Sequence, residues 1–175
     1  MDDLKTATAS GSPFNQALFS DYAFLAHSFG DMGQASYTSF DQEGSFSLNE
    51  KPSDVATLAN QFAAKALQLS QGQLVDPEPS RDVASHDLRD RLIRALTTAQ
   101  DVYPRDAARA QADWDCWRLN LEVTTQAASA AQCKRSFDIS LGRLENEATM
   151  VAQAAAAKKP AAPQSNAPED GATLP

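Results

Sequence analysis

Phe14, Leu18, Tyr22, Leu25 and Phe29 recur at spacings of four and three, which places them on one face of a helix. Ser12-Pro13 marks its start: a serine oxygen can accept from free first-turn N–H groups, and proline suits the first helical position. Gly30 and Gly33 are expected to stop it. Ser53-Asp54 opens a second helix, with Val55, Leu58, Ala59, Phe62, Ala63, Ala66 and Leu69 as its buried stripe and Gly72 at its C-terminal cap. Pro77 and Pro79 make Gln73 to Ala84 a connector. Ser85 is expected to cap a third helix carrying Leu88, Leu92, Leu96, Ala99 and Tyr103 on one side. Pro104 ends that helix and begins a fourth, where Ala107, Ala110, Trp114, Trp117 and Leu121 alternate spacings of three and four. After a turn around Thr124, Thr125 and Gln126, a fifth helix presents Cys133, Phe137, Leu141, Leu144, Ala148 and Val151.

The pattern predicts an all-α fold of about five helices in antiparallel hairpins, a bundle like those of tetratricopeptide repeats. Residues 1–11 are small and polar and read as a flexible lead-in. Residues 12–151 form the helical domain. From Ala152 the chain turns to Ala, Pro, Gln, Ser and Asn, which bury too little apolar surface to offset chain entropy, so 152–175 reads as a disordered linker. A linker joins two things, which suggests a further domain beyond it; an ordinary frayed tail is the other reading. Residues 31–51 keep no helical period. Tyr37, Phe40, Phe46 and Leu48 there suit an ordered loop packed back on the helices. A loop of that length is either a mobile insertion or a functional surface.

Charge narrows the partners. The net charge is -8 and the Lys and Arg residues are scattered, so neither nucleic acid nor an anionic lipid surface is an expected partner. No stretch approaches the ~20 apolar residues a membrane helix needs. Met1-Asp2-Asp3-Leu4-Lys5 is polar and lacks the apolar run of a signal peptide. Either the protein is cytoplasmic or a targeting segment has been removed.

The two cysteines bear on that choice. Cys116 and Cys133 stand at similar distances from the proposed turn between the last two helices, so an antiparallel pair would bring them face to face. A Cys116–Cys133 disulfide is the preferred reading and implies an oxidising compartment. Two reduced cysteines acting as small apolar residues are the alternative.

No catalytic constellation emerges. His27 and His86 stand alone, and no His-x-x-x-His or Cys-x-x-Cys spacing occurs, so no metal, cofactor or enzymatic activity is expected. Cys116 has no local partner that would make it a nucleophile. Asp76, Glu78, Asp82, Asp87, Asp90, Asp113, Asp115, Glu145 and Glu147 lack calcium-loop spacing and read as solvated helix faces. Trp114 and Trp117 read as core rather than as a ligand-stacking pair.

Several segments resemble a known family. Ser12-Pro13-Phe14-Asn15-Gln16-Ala17-Leu18, with Asp21-Tyr22 and Leu25-Ala26, is similar to the start of the helical N-terminal region of alphaproteobacterial OmpA-family outer-membrane lipoproteins. Phe62-Ala63-Ala64-Lys65-Ala66-Leu67 resembles their second-helix motif. The stretches from Ala110 to Trp117 and from Cys133 to Phe137 resemble their paired cysteine segments. The likeness covers roughly residues 3 to 150. It implies a periplasmic, non-enzymatic domain that spaces the outer membrane from peptidoglycan, with cell-envelope proteins as partners. It further implies a lipid-bearing cysteine before Asp2 and a peptidoglycan-binding domain after the linker. Neither is in this chain, so no binding residues transfer, and membrane and peptidoglycan contact would both run through those absent parts. Residues 31–51 also depart from the family in being longer and richer in Ser and Phe. A tetratricopeptide-like adaptor binding a partner in a groove is the alternative: the second and third helices suit such a hairpin, although the repeat's Trp and Pro landmarks do not recur at a fixed period.

Overall fold

The computed structural model describes residues 4, 6–40 and 54–158, with the backbone alone over 33–40. The fold is all-α. Its helices are α1 (Pro13–Phe40), α2 (Asp54–Ser70), α3 (Val83–Ala99), α4 (Pro104–Asn120) and α5 (Ala127–Lys158), with a short 3-10 turn at Thr124–Gln126 before α5. No strand occurs among the described residues.

The helix ends follow local chemistry. Ser12 Oγ accepts from the Asn15 amide at 3.2 Å, and Pro13 takes the first turn of α1. At the end of α2, Gly72 has φ +77°, and the amides of Gly72 and Gln73 donate to the carbonyls of Leu69 and Gln68. This doubly bonded stop needs a left-handed residue, which glycine adopts without strain. The cap of α3 is Asp82 rather than Ser85. Its Oδ1 accepts from the Ser85 amide at 2.9 Å while the Ser85 hydroxyl donates back to Asp82 Oδ2 at 2.8 Å. A carboxylate there accepts the same bonds as a serine and also favours the helix dipole, so the start shifts upstream.

Three other expectations change. Gly30 and Gly33 do not stop α1; both are helical, and the helix runs on to Phe40. Glycine in a helix costs about 1 kcal/mol relative to alanine, which does not by itself end a helix. The expected loop over 31–51 is therefore helical to residue 40, while its remainder, with Phe46 and Leu48, lies outside the described residues. At the other end, α5 carries through 152–158, so the helical domain outlasts the expected boundary at Val151; residues 159–175 lie outside the described residues. The lead-in is also engaged. Leu4 is buried, and Ser10 Oγ donates to the carbonyls of Leu69 and Ser70 at the end of α2.

Two cores share one helix. The first gathers Leu18, Tyr22, Ala26 and Phe29 of α1, the whole expected stripe of α2, and Ala108, Ala112, Cys116 and Leu119 of α4. The second gathers Leu92, Leu96 and Ala99 of α3, Phe137, Leu141 and Leu144 of α5, and Ala107, Ala110 and Trp114 of α4. The second and third helices thus do not form a hairpin with each other: α2 packs on α1, and α3 on α5. In the first core Phe62 lies against Tyr22 and stacks on Phe29, with ring centres 6.2 and 5.7 Å away. In the second, Trp114 meets Phe137 at 5.2 Å and Trp117 at 5.3 Å. Trp114 is fully buried and Trp117 half-buried, as a core reading requires, but Leu121 is exposed and leaves the α4 stripe.

α4 and α5 run in opposite directions. Asp106, Asp113 and Cys116 meet Arg143, Ser136 and Cys133 respectively. The sulfurs of Cys116 and Cys133 are bonded, with their Cα atoms 5.6 Å apart.

Phe62 has no exposed surface, so Phe62→Ala should cost about 3–5 kcal/mol through lost burial and the cavity left behind. Ile139, 70% exposed, should tolerate alanine within about 0.5 kcal/mol. Urea unfolding monitored by circular dichroism measures both, and equal costs would contradict the two-core packing.

Candidate functional site

α4 is the most enclosed helix of the fold and also a polar one. Between the two apolar stripes described above lies a third, Gln111, Asp115 and Arg118, at spacings of four and three. All three are buried. They face the 73–82 connector, which has no regular structure and so cannot satisfy its own backbone groups.

The connector is tied down by this stripe. Gln111 Nε2 donates to the Val75 carbonyl at 2.7 Å. The Glu78 amide donates to Asp115 Oδ1 at 2.7 Å, and Trp114 Nε1 donates to the Glu78 carbonyl at 2.9 Å. Arg118 Nη1 reaches Asp82 Oδ2 at 3.0 Å, the oxygen that also helps cap α3. Arg89, from α3, donates to the carbonyls of Pro77 and Glu78.

Asp115 is the centre. It has no exposed surface, contrary to the expectation of a solvated carboxylate. Its Oδ2 accepts from the Tyr22 hydroxyl at 2.5 Å and lies 3.2 Å from Lys65 Nζ, which also meets Glu78 Oε1 at 2.8 Å. Gln111 Nε2 donates to the Tyr22 oxygen at 3.2 Å, and the Lys65 ammonium sits 5.6 Å over the Tyr22 ring. Four elements meet here: α1, α2, the connector and α4.

Electrostatics follow from that enclosure. Burial pushes the Asp115 carboxyl up from 3.8 to about 6, against the opposing pull of Lys65, the Tyr22 hydroxyl and the Glu78 amide. Burial and the Asp115 charge raise the Tyr22 phenol. Burial disfavours the Lys65 cation, but Asp115 and Glu78 outweigh it and raise its pKa. At the α3 cap, the hydrogen bonds from Ser85 lower Asp82, with Arg118 adding to them.

The other expected carboxylates divide. Asp113 of α4 and Glu147 of α5 are also buried, against expectation, because these two helices pack on each other. Asp113 Oδ2 accepts from Ser136 at 2.9 Å. Glu145 forms a two-pronged pair with Arg91, both contacts 2.7 Å, which holds its carboxyl below the usual range. Asp76, Asp82, Asp87 and Asp90 are exposed.

Beside that pair, α3 and α5 leave a shallow open groove of about 340 Å³. Ala95, Ala148 and Ala152 line it, with Arg94 and two threonines. The Thr98 and Thr149 hydroxyls are engaged by carbonyls of their own helices.

His27 and His86 are exposed and lie in neither feature. Among the described residues no group of three or more His, Cys, Asp or Glu is placed to hold a metal ion, and no helix is long and apolar enough to cross a membrane. Sequence reading missed the Tyr22–Lys65–Glu78–Asp115 cluster. Its one local signal was the spacing of Gln111, Asp115 and Arg118, a polar stripe within a helix already carrying apolar positions.

Lys65→Met should leave Asp115 without its cation and cost about 3–5 kcal/mol at neutral pH. Tyr22→Phe, which removes one donor, should cost about 1–3 kcal/mol. Unfolding free energies at pH 7.5 test both; a neutral Lys65→Met would mean that the cluster is not enclosed. Comparison with known proteins found no matching family model, no similar curated protein and no similar solved structure.

Proposed function

We propose that this chain is the helical periplasmic part of an outer-membrane lipoprotein, a spacer and interaction module between outer membrane and peptidoglycan. The reading is non-enzymatic. It draws its family from the motif resemblance over residues 3 to 150, and the bonded pair Cys116–Cys133 is the structural observation that supports it most. Disulfides persist in oxidising compartments such as the periplasm and are rare in the cytosol. The seventeen-residue separation makes the bond worth about 3 kcal/mol in the loop-entropy account. Geometry suits a spacer as well. At 1.5 Å per residue the 32 residues of α5 span about 48 Å, and its last turns run on exposed beyond the two cores. Partners are then cell-envelope proteins, and peptidoglycan is reached through a separate downstream domain.

A second reading, an adaptor of tetratricopeptide-like type, is favoured by the α3–α5 groove alone. Thr98→Trp would fill that groove. It should abolish cross-linking to a groove-bound partner in cells, and unchanged cross-linking would remove this reading.

The periplasmic reading is tested on protein made from its own gene. Cells are lysed in acid, and thiols are labelled with a polyethylene-glycol maleimide before and after reduction. Two labels should attach only after reduction. Two labels without it would place the chain in a reducing compartment. Replacing both cysteines with serine should lower stability by about 3 kcal/mol, read from the urea midpoint.

A further inference from the structure

Three clusters along α4 have the same charge count: two carboxylates and one cation. Near its N-terminal end, Asp106 pairs with Arg143 at 3.2 Å and faces Glu147. Glu147 is buried, and its Oε2 has no hydrogen-bond partner among the described residues. In the middle, Asp113 pairs with Arg109 at 3.0 Å, and the half-buried Asp21 of α1 feels the charge of both. Next comes Asp115 with Glu78 and the shared Lys65. Each cluster carries one negative charge in excess when fully ionised. Each also lies at a seam, α4 against α5 in the first case and against α1 or against α2 and the connector in the others.

The enclosure is complete at Asp115, which has no exposed surface, whereas the Arg143 and Arg109 side chains of the other two clusters are 64% and 52% exposed. An excess charge held away from water is costly, and the cheapest remedy is to bind a proton. We propose that α4 is a proton-operated seam: as pH falls from about 7.5 to about 5, the carboxylates along it take up protons and the folded bundle gains stability.

The direction is opposite to that of an ordinary salt-bridged carboxylate. Burial raises Asp21 and Asp115 from 3.8 to about 6, and burial with Asp106 raises Glu147. Between the unfolded and folded values the folded chain binds more protons, so stability falls as pH rises. The contribution is complete below about pH 4 and lost as pH passes about 6. The groups facing Asp115 from other elements are Tyr22, Lys65 and Glu78; those facing Asp21 are Arg109 and Asp113; Glu147 faces Asp106 and Arg143. The carboxylates held low, Asp82 and Glu145, have ordinary values of 3.8 and 4.5 and lose their contribution only below that window. Lys65 and Arg91, both raised, act far above it.

The test uses the full chain. Urea unfolding at pH 7.5 and pH 5.0 should give an unfolding constant roughly tenfold smaller at the lower pH for each aspartate that moves from 3.8 to about 6. Asp21→Asn with Asp115→Asn should flatten this difference. Asp101→Asn, at an exposed position, should keep it. A double variant that retains the wild-type difference would assign the effect to general charge repulsion and overturn the proposal. Should the double variant not fold, carboxyl carbon NMR titration of the wild type decides. Aspartates titrating near 6 are expected, and titration of every carboxyl below about 4.5 overturns it.

Discussion

A carboxylate withdrawn from water must be surrounded by donors, and Asp115 draws its donors from three directions. The Tyr22 hydroxyl comes from α1, the Lys65 ammonium from α2 and the Glu78 amide from the connector. Satisfying one side chain of α4 therefore fixes three other segments against it. Apolar packing cannot do this alone, because hydrophobic contact is non-directional. The two cores supply most of the favourable free energy, and the Asp115 contacts select the arrangement in which it is collected.

That arrangement needs α4 to be thin. Ala107, Ala108, Ala110 and Ala112 are all buried, and their small side chains let neighbouring helices approach on several sides at once. The bulk is supplied by the neighbours: Phe62 and Tyr22 on one side, and Phe137 with α4's own Trp114 on the other. The Cys116–Cys133 bond then ties α4 to α5, joining the shared helix covalently to the longest one. α5 is held against α4 along its first turns, and its last turns, 152–158, run on exposed.

The same enclosure accounts for the acid-rich seam. Carboxylates on an exposed helix face keep their water and their usual charge. Placed between helices, Asp115 shares the Lys65 ammonium with Glu78, and its burial favours the protonated form. Composition gives no hint of this, because a net charge of -8 reads identically whether the acids are outside or inside.

What the amino-acid order determined was whatever depends on near neighbours. The α2 stripe from Val55 to Leu69 follows from 3.6-residue periodicity, because that helix buries one face only. The stop at Gly72 follows from a backbone angle that glycine adopts freely. The meeting of Cys116 with Cys133 follows from equal distances along two antiparallel helices. Tertiary structure alone decided the rest. A helix surrounded on several sides has no single apolar face, so α4 looked like an ordinary amphipathic helix with solvated acids. Gly30 and Gly33 carry the residue type of a stop but not its left-handed geometry, and α1 runs through them. Tyr22, Lys65, Glu78 and Asp115 lie far apart in sequence and become one cluster only when four segments converge, a long-range event that no local spacing records.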